Sequence, residues 1–297
     1  MSRRKEKGKD KKFIFFPVLV AAGKAYTMIL GLSPASLAVR SAIAMRRSSI
    51  MKKRAYEHVN TIVYAQQKCE FLTWGSGNSV KDMVSKVPNH IVRPEYAHSG
   101  EPGQALSDRP RIYNAKEIVK ARIAGRLARK MLDFANNLAL QPNKYTTNQI
   151  DELTRQEIIK HGAYPSPLNY RGFPKSICTS INEVVCHGIP DDRLVRRGDK
   201  VSIDISLYID GFHGDNCGTI VSGGGLGSEP EEKRTNKLIL ATQEALEKSI
   251  LLCKPGACIS SIGAKIQQVA TSHGFKVVHE FCGHGKFKVI VDAKYSF

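Results

Sequence analysis

Two aspartates, Asp204 and Asp215, lie in a stretch of sequence that predicts a β-hairpin. β-Branched and aromatic residues dominate 200–222, and Asp210-Gly211 in the middle is a strong signal for a two-residue turn. If the turn centres on that dipeptide, Asp204 faces Cys217 and Asp215 is its diagonal neighbour. If it centres one residue earlier, the two aspartates face each other. Either register puts both carboxylates on one face, because side chains alternate along a strand.

This carboxylate pair needs a compensating positive charge or a shared proton. Asp204 sits between Ile203 and Ile205, in a strand that we expect to be buried on at least one face. Neighbouring carboxylates repel, and burying an isolated charge is unfavourable. A divalent metal ion resolves both problems, because carboxylate oxygens are good ligands for such ions. The alternative is that one aspartate faces solvent at a sheet edge.

Two other segments carry histidine in contexts that suit ligand binding. In 281–285, His284 stands between two glycines, which allow a ligand or a backbone to approach closely. A simple turn histidine is the alternative there. In 185–190, Cys186 and His187 are adjacent, so in a strand their side chains would point to opposite faces. This arrangement argues against a Cys–His catalytic dyad.

The elements that must position these residues follow an α+β pattern. Asn114 and Thr146 can cap helices, with Glu117 and Gln149 as their capping-box partners. Apolar periodicity and end signals predict four helices and two further extended segments: helices at 114–138, 147–161, 231–253 and 260–273, and extended runs through 181–189 and 275–281. The mixture predicts one main α+β domain from about residue 113 onward.

The first 56 residues have the composition of a targeting leader. Residues 1–54 carry fourteen Lys or Arg against two acids, which is +12 of the net +18 of the 297-residue chain. A basic start, an apolar run at 13–23 and a basic, acid-free stretch at 35–56 are together typical of organellar targeting. A poor transmembrane helix within 13–39 and a cytosolic start are the alternatives.

The rest of the chain has the composition of an ordinary globular protein. Hydrophobic residues make up 42% of the sequence, and the charge excess outside the leader is small and not interleaved with aromatic residues. We therefore expect no specific nucleic-acid binding, and membrane contact only through the leader. Seven cysteines without a Cys-x-x-Cys pair argue against a disulfide scaffold or a cysteine-based zinc finger.

Several long motifs resemble the signature of type I methionine aminopeptidases. Three stretches carry the resemblance: 164–191 (from Tyr-Pro-Ser-Pro to Cys-His-Gly-Ile-Pro-Asp), 203–215 (Ile-Asp followed by Asp-Gly-Phe-His-Gly-Asp) and 282–285 (Cys-Gly-His-Gly). Order and spacing agree from about 112 to 285. Residues 87–94 also resemble the segment ahead of the catalytic domain in eukaryotic and organellar members.

The resemblance implies a fold, a reaction and a set of roles. The family has the α/β pita-bread fold, two similar halves around two divalent ions (Co, Mn, Fe or Zn), and removes the initiator methionine from nascent polypeptides. By resemblance, Asp204 and Asp215 are metal ligands, with Asp215 bridging both ions, and His284 is a nitrogen ligand to one ion. His187 would hydrogen-bond the substrate near the scissile amide. The methionine pocket would be lined by Tyr170, Phe173 and Cys178.

The sequence departs from the family after Gly285. The family expects a second histidine and then two glutamate ligands, but residues 286–297 contain neither Glu nor His. We therefore expect a leader at 1–56, a loop-rich extension at 57–112, an incomplete catalytic domain at 113–285 and a non-family tail at 286–297. We expect a gene-model error or retained intron, with a truncated variant or a pseudoenzyme as alternatives. Without the second half, the strand at 201–208 would keep an open edge or face.

The leading functional hypothesis is a metal-dependent methionyl aminopeptidase that acts through a metal-activated water. The first alternative is a catalytically inactive, truncated pita-bread protein that binds peptides, the ribosome or another partner. A proline-directed peptidase is the second, and the string Asn-Glu-Val-Val-Cys-His-Gly-Ile-Pro at 182–190 argues against it. The leader favours location in a mitochondrion or plastid-type organelle. The alternatives are a cytoplasmic protein and a protein anchored in a membrane through residues 13–39.

Overall fold

The structure, a computed structural model, describes residues 18–22, 25–30, 80–103, 113–225 and 229–278. All of them belong to one of the chain's two compact units, which comprises 16–30 and 78–297. The described helices are α1 (Val80–Ser85), α2 (Tyr96–Ser99), α3 (Ala115–Ala139), α4 (Thr147–Lys160), α5 (Pro230–Ile250) and α6 (Ser260–Ser272). The described strands are β1 (Val18–Ala22), β2 (Ala25–Leu30), β3 (Tyr164–Pro165), β4 (Cys178–Ile181), β5 (Lys200–Ile209), β6 (Phe212–Val221) and β7 (Lys276–Val277).

Strand β5 is the centre of the main sheet. One edge of β5 pairs along its whole length with β6, and the other edge pairs first with β4 and then with β3. All of these pairings are antiparallel. The expectation of an open edge at 201–208 is therefore wrong, because both edges of that strand form backbone ladders within this part of the chain.

Alternation along β5 separates an apolar face from a polar one. Its apolar side chains, Val201, Ile203, Ile205 and Leu207, are buried in one core cluster with residues of α3 and α4. Ser202, Asp204 and Ser206 fall on the opposite face, as the period of two requires. The fold thus uses one face of the strand for stability and leaves the other for polar chemistry.

The helices that cover the apolar face begin where the sequence predicts. Asn114 and Glu117 form a reciprocal capping box, with both hydrogen bonds at 3.0 Å. Thr146 and Gln149 do the same at the start of α4. The predictions for α3 to α6 agree with the structure to within a few residues. These ends are encoded locally, which explains the agreement.

Residues 80–103 pack onto the sheet through a second core cluster. Val87, Ile91 and Ala97 are buried there against Tyr164 and Leu168. The sequence predicts a loop-rich segment here, and these residues hold only the two short helices α1 and α2. The attachment is therefore made by side-chain burial rather than by long regular elements.

One local prediction is wrong, and one alternative for the leader differs from the structure. Residues 182–189 are irregular rather than extended, because Asn182 and His187 adopt left-handed backbone conformations with φ of 54°. Residues 18–22 and 25–30 form an antiparallel β-hairpin where a transmembrane helix was one alternative. Alternating β-branched residues on either side of Gly-Lys favour strands there. Among the described helices, none combines the length and apolar content needed to cross a bilayer.

Candidate metal centre

The β5–β6 hairpin adopts the first of the two predicted registers. Ile209 pairs with Phe212, so the turn consists of Asp210 and Gly211. Both turn residues have positive φ, 52° and 86°, which is the combination that a type I′ turn requires. The turn thereby fixes which residues on the two strands face each other.

Register and alternation bring the two aspartates to one face of adjacent strands. Asp204 is opposite Cys217, and Asp215 is opposite Ser206, two residues further along β5. The two carboxylates are therefore diagonal neighbours, as the Asp-Gly turn predicts. Ser206 Oγ donates a hydrogen bond of 2.7 Å to Asp215 Oδ1, which orients that carboxylate.

A glycine next to Asp215 allows the supporting helix to approach the strand. A Cβ on Gly214 would lie 2.1 Å from the carbonyl oxygen of Ala124 and 2.9 Å from the nitrogen of Gly125, both in the backbone of α3. No side chain larger than hydrogen fits this contact without displacing the helix. The position of Asp215 is thus fixed from behind by helix–strand packing.

Three thiols surround Asp204. Cys178 pairs with Asp204 from β4, and Cys217 pairs with it from β6. Burial, followed by the negative charge of Asp204, raises the pKa of the Cys186 thiol to about 12. Burial raises the pKa of Cys217 as well, with further contributions from Asp204 and Asp215. Cys186 and Cys217 therefore stay protonated at neutral pH, and the carboxylates provide the negative charge of this face.

The donor set on this face suits a divalent cation. Carboxylate oxygens are hard ligands, and two of them on one partly buried face create a negative site that a divalent ion would neutralise. Within the described ranges, no group of three or more His, Cys, Asp or Glu side chains has the arrangement of a metal site. The third predicted ligand, His284, lies outside the described residues. The structure therefore brings together two of the three predicted ligands.

His187 lies on an irregular loop that is held close to β4. Its side chain is exposed, while the neighbouring Cys186 is half-buried. The next residue, Gly188, accepts a hydrogen bond from the Thr179 nitrogen at 2.9 Å and donates one to Ser180 Oγ at 3.1 Å. A Cβ on Gly188 would lie 2.2 Å from the Thr179 carbonyl oxygen, so glycine permits this approach.

The three predicted pocket residues lie along one connection that ends at Asp204. Tyr170 begins a short 3-10 turn, and the amide of Phe173 donates to its carbonyl at 3.0 Å. Both side chains are half-buried, whereas Cys178 is buried at the start of β4. The path from Tyr170 to Cys178 thus connects the proposed pocket wall to the strand that flanks the aspartate.

A buried aspartate that the sequence did not point to anchors this connection. Asp151 on α4 is fully buried, and its Oδ1 accepts hydrogen bonds from the amides of Ser176 at 2.8 Å and Ile177 at 3.0 Å. Burial raises its pKa to about 6, partly offset by the positive charge of Lys175. An acid within an otherwise amphipathic helix is usually solvent-exposed, so only the three-dimensional contact identifies it. Ser206 was also missed, although its place two residues after Asp204 put it on the same face.

Comparison with known proteins agrees with this geometry. Residues 119–286, more than half of the chain, match metallopeptidase family M24. The chain is 45% identical over 213 residues to the mitochondrial methionine aminopeptidase 1D of Dictyostelium discoideum, covering 71% of this chain and 50% of that protein. It is 43% identical over 199 residues to the chloroplastic methionine aminopeptidase 1B of Arabidopsis thaliana, covering 67% and 52%. The chain spans about half the length of these curated relatives.

Solved structures show the same similarity. The crystal structure of methionine aminopeptidase from Rickettsia prowazekii superposes with a TM-score of 0.57 at 42% identity, covering 62% of this chain and 71% of that one. The enzyme from Thermotoga maritima gives a TM-score of 0.56 at 29% identity over the same shares. The expected pita-bread architecture is confirmed over the matched part, and the chain belongs to metallopeptidase family M24.

Proposed function

We propose that this chain supplies metal-binding and substrate-binding residues of a methionyl aminopeptidase that hydrolyses the first peptide bond of polypeptides beginning with methionine. The observation that carries the proposal is the placement of Asp204 and Asp215 on one face of adjacent strands, with Ser206 orienting Asp215. Membership of a metallopeptidase family supports the same reaction class.

In this proposal each residue has a defined part. Asp204 and Asp215 hold the divalent cation, and His284 adds a nitrogen ligand. A bound divalent ion supplies Lewis-acid chemistry, lowering the pKa of water and polarising the scissile carbonyl. His187 donates a hydrogen bond to the substrate near the scissile amide. The exposed imidazole on a loop fixed by Gly188 suits a group that must reach a bound peptide.

The surrounding thiols and aromatic side chains support selectivity. Burial and the neighbouring carboxylates raise the pKa values of Cys186 and Cys217, so both thiols stay neutral when no metal ion is bound. Tyr170, Phe173 and Cys178 provide an aromatic and sulfur-containing wall, which suits an unbranched thioether side chain. We propose Co, Mn, Fe or Zn as the metal, with two ions in the complete site.

Metal binding and turnover together test the proposal. Titration calorimetry with Mn²⁺ alone should detect binding to the full chain, and Asp215→Asn should weaken it by about a hundredfold or more because a charged ligand is lost. Ser206→Ala should weaken it by roughly tenfold, because Ser206 only orients the ligand. Ser202→Ala is the matched control on the same face, where its hydroxyl bonds Thr219 instead.

The intact enzyme, with the two glutamate ligands that the family resemblance expects, should release methionine from a methionyl tripeptide, and Asp215→Asn and His187→Ala should each lose this activity. If Asp215→Asn binds Mn²⁺ as tightly as the wild-type protein does, the metal assignment is contradicted. Peptide binding without methionine release would instead favour the non-catalytic, peptide-binding alternative.

We also propose that the protein acts in a mitochondrion or plastid-type organelle on newly made polypeptides. The basic leader supports this location, as do the names of the mitochondrial and chloroplastic relatives. A fluorescent protein fused after residue 56 should enter an organelle. A diffuse cytosolic signal from that fusion would contradict the proposed location.

A further inference from the structure

The turn that carries Tyr170 has an unusual backbone. Asn169 and Arg171, on either side of it, both have positive φ, 60° and 51°. Residues other than glycine rarely adopt this conformation, and it persists only where surrounding contacts enforce it. A pocket residue placed between two such positions therefore depends on whatever holds the turn.

The contacts that hold the turn come from a distant segment, residues 96–100. Asn169 Nδ2 donates to the carbonyl of Ala97 at 2.9 Å, and the amide of Arg171 donates to the carbonyl of Gly100 at 2.8 Å. The two residues with positive φ are thus each bonded to the backbone of this segment. The same contacts fix the Tyr170 backbone between them.

Tyr96 completes the attachment through its hydroxyl and its ring. Its side chain is only 3% exposed, and Oη donates to the carbonyl of Ser166 at 2.6 Å. Its ring meets the Tyr170 ring edge-on, with centroids 5.1 Å apart and planes at 83°. Edge-on packing is a favourable aromatic arrangement, and it defines the position of the Tyr170 ring as well as its backbone.

A buried histidine ties this cluster to the metal-binding hairpin. His213 lies two residues before Asp215 on β6, is 3% exposed, and its Nδ1 is 2.8 Å from Ser166 Oγ. Its ring stacks on Tyr96 with centroids 6.4 Å apart, and it also contacts Tyr208. Ser166 therefore meets Tyr96 through its carbonyl and the hairpin through its hydroxyl.

From these contacts we propose that residues 96–100, ahead of the family-matched region, are positioning residues for the side-chain pocket and set its selectivity through Tyr170. This inference rests on the proposed function, because it assigns the pocket to a methionine side chain. Simple core packing would bury Tyr96 but would not require three hydrogen bonds to a strained turn and the residues that lead into it.

Tyr96→Phe tests the inference with little risk to folding, because it removes one hydroxyl and keeps the ring. Hydrogen exchange of the peptide spanning 168–173 should become about tenfold faster, the effect expected for one buried hydrogen bond. Asn169→Asp replaces the amide that donates to Ala97 with a carboxylate that can only accept. This variant should also make hydrogen exchange at 168–173 faster. Tyr145→Phe is the matched control at a half-buried tyrosine that packs against the other core cluster.

Kinetics of the intact enzyme with methionyl and leucyl tripeptides give the second readout. Tyr96→Phe should raise KM for the methionyl peptide by about tenfold and lower the preference for methionine over leucine, while kcat changes little. Exchange and KM values equal to those of wild type would overturn the inference. If the intact enzyme shows no turnover, the proposed function is overturned, and the exchange measurement on this chain still decides whether residues 96–100 hold the turn.

Discussion

The hairpin that carries the aspartates and the connection that carries the pocket residues are built in opposite ways. In the hairpin, the hydrogen bond between Ser206 and Asp215 joins residues nine positions apart. In the connection, Tyr96 reaches Ser166 across 70 positions, and Asn169 reaches Ala97 across 72. The register that places the proposed metal ligands Asp204 and Asp215 on one face is thus set by local sequence, whereas the proposed pocket residue Tyr170 depends on contacts that form only when distant segments meet.

Because of this difference, we expect the two regions to respond differently to mutation. A local turn and its register form early and tolerate changes elsewhere, because few residues specify them. A strained turn held from outside relaxes when any one of its supports is removed. We therefore expect mutations far from the proposed pocket residues in sequence to change selectivity, and mutations in the hairpin or in the part of α3 behind Asp215 to change metal binding.

The largest effect should come from the helix contact behind Asp215. Gly214→Ala would place a methyl group 2.1 Å from the backbone oxygen of Ala124, so α3 must move away from the strand. We expect the free energy of unfolding in urea to fall by about 3–5 kcal/mol.

Gly218→Ala on the same strand is the matched control for that contact. Its Cβ would meet Leu132 Cδ2 at 3.4 Å, an ordinary van der Waals distance. A loss below about 1 kcal/mol is expected there. Equal losses at Gly214 and Gly218 would show that the close helix approach does not position Asp215.

The next largest effect is a pH-dependent change in stability at Asp151, which anchors the connection that carries the pocket residues. Asp151 has a pKa of about 6 in the fold against an ordinary value of 3.8, so the folded state binds its proton more tightly. This contribution to stability is present in acid and is lost as pH rises from about 4 to about 6. Over that window wild type should lose about 3 kcal/mol relative to Asp151→Asn, which cannot titrate.

Urea unfolding at pH 4, 5, 6 and 7 measures this difference. Lys175 and Arg155 are the positive groups that face Asp151, and Glu152 lies beside it on α4. Asp133→Asn is the control, because it removes an exposed carboxylate paired with Arg129 and should change stability by less than about 0.5 kcal/mol at each pH. A pH-independent difference between wild type and Asp151→Asn would show that the anchor is not buried as described.

The sequence predicted the structure of the hairpin well and that of the connection carrying the pocket residues poorly. The Asp-Gly turn and the alternation along 200–222 limited the hairpin to two registers, both with the aspartates on one face, and Asn114 and Thr146 marked helix starts. Each of these signals lies within a few residues of its effect. Residues 182–189 were predicted as extended, since no local signal reveals that Asn182 and His187 are left-handed. Tyr96 and Asp151 were missed because their partners are distant in sequence.

The smallest predicted effect tests whether the hairpin turn forms independently of the connection that carries the pocket residues. Asp210 has a φ of 52°, where a side chain that can hydrogen-bond locally is tolerated better than alanine. Asp210→Ala should lower the free energy of unfolding by about 1 kcal/mol, and Asp210→Asn should be nearly neutral because asparagine suits this turn position. Hydrogen exchange at 168–173 should stay at the wild-type rate in both variants, because no support of that turn is touched. Faster exchange at 168–173 in Asp210→Ala would mean that the two regions are coupled and that the separation between local and remote positioning is wrong.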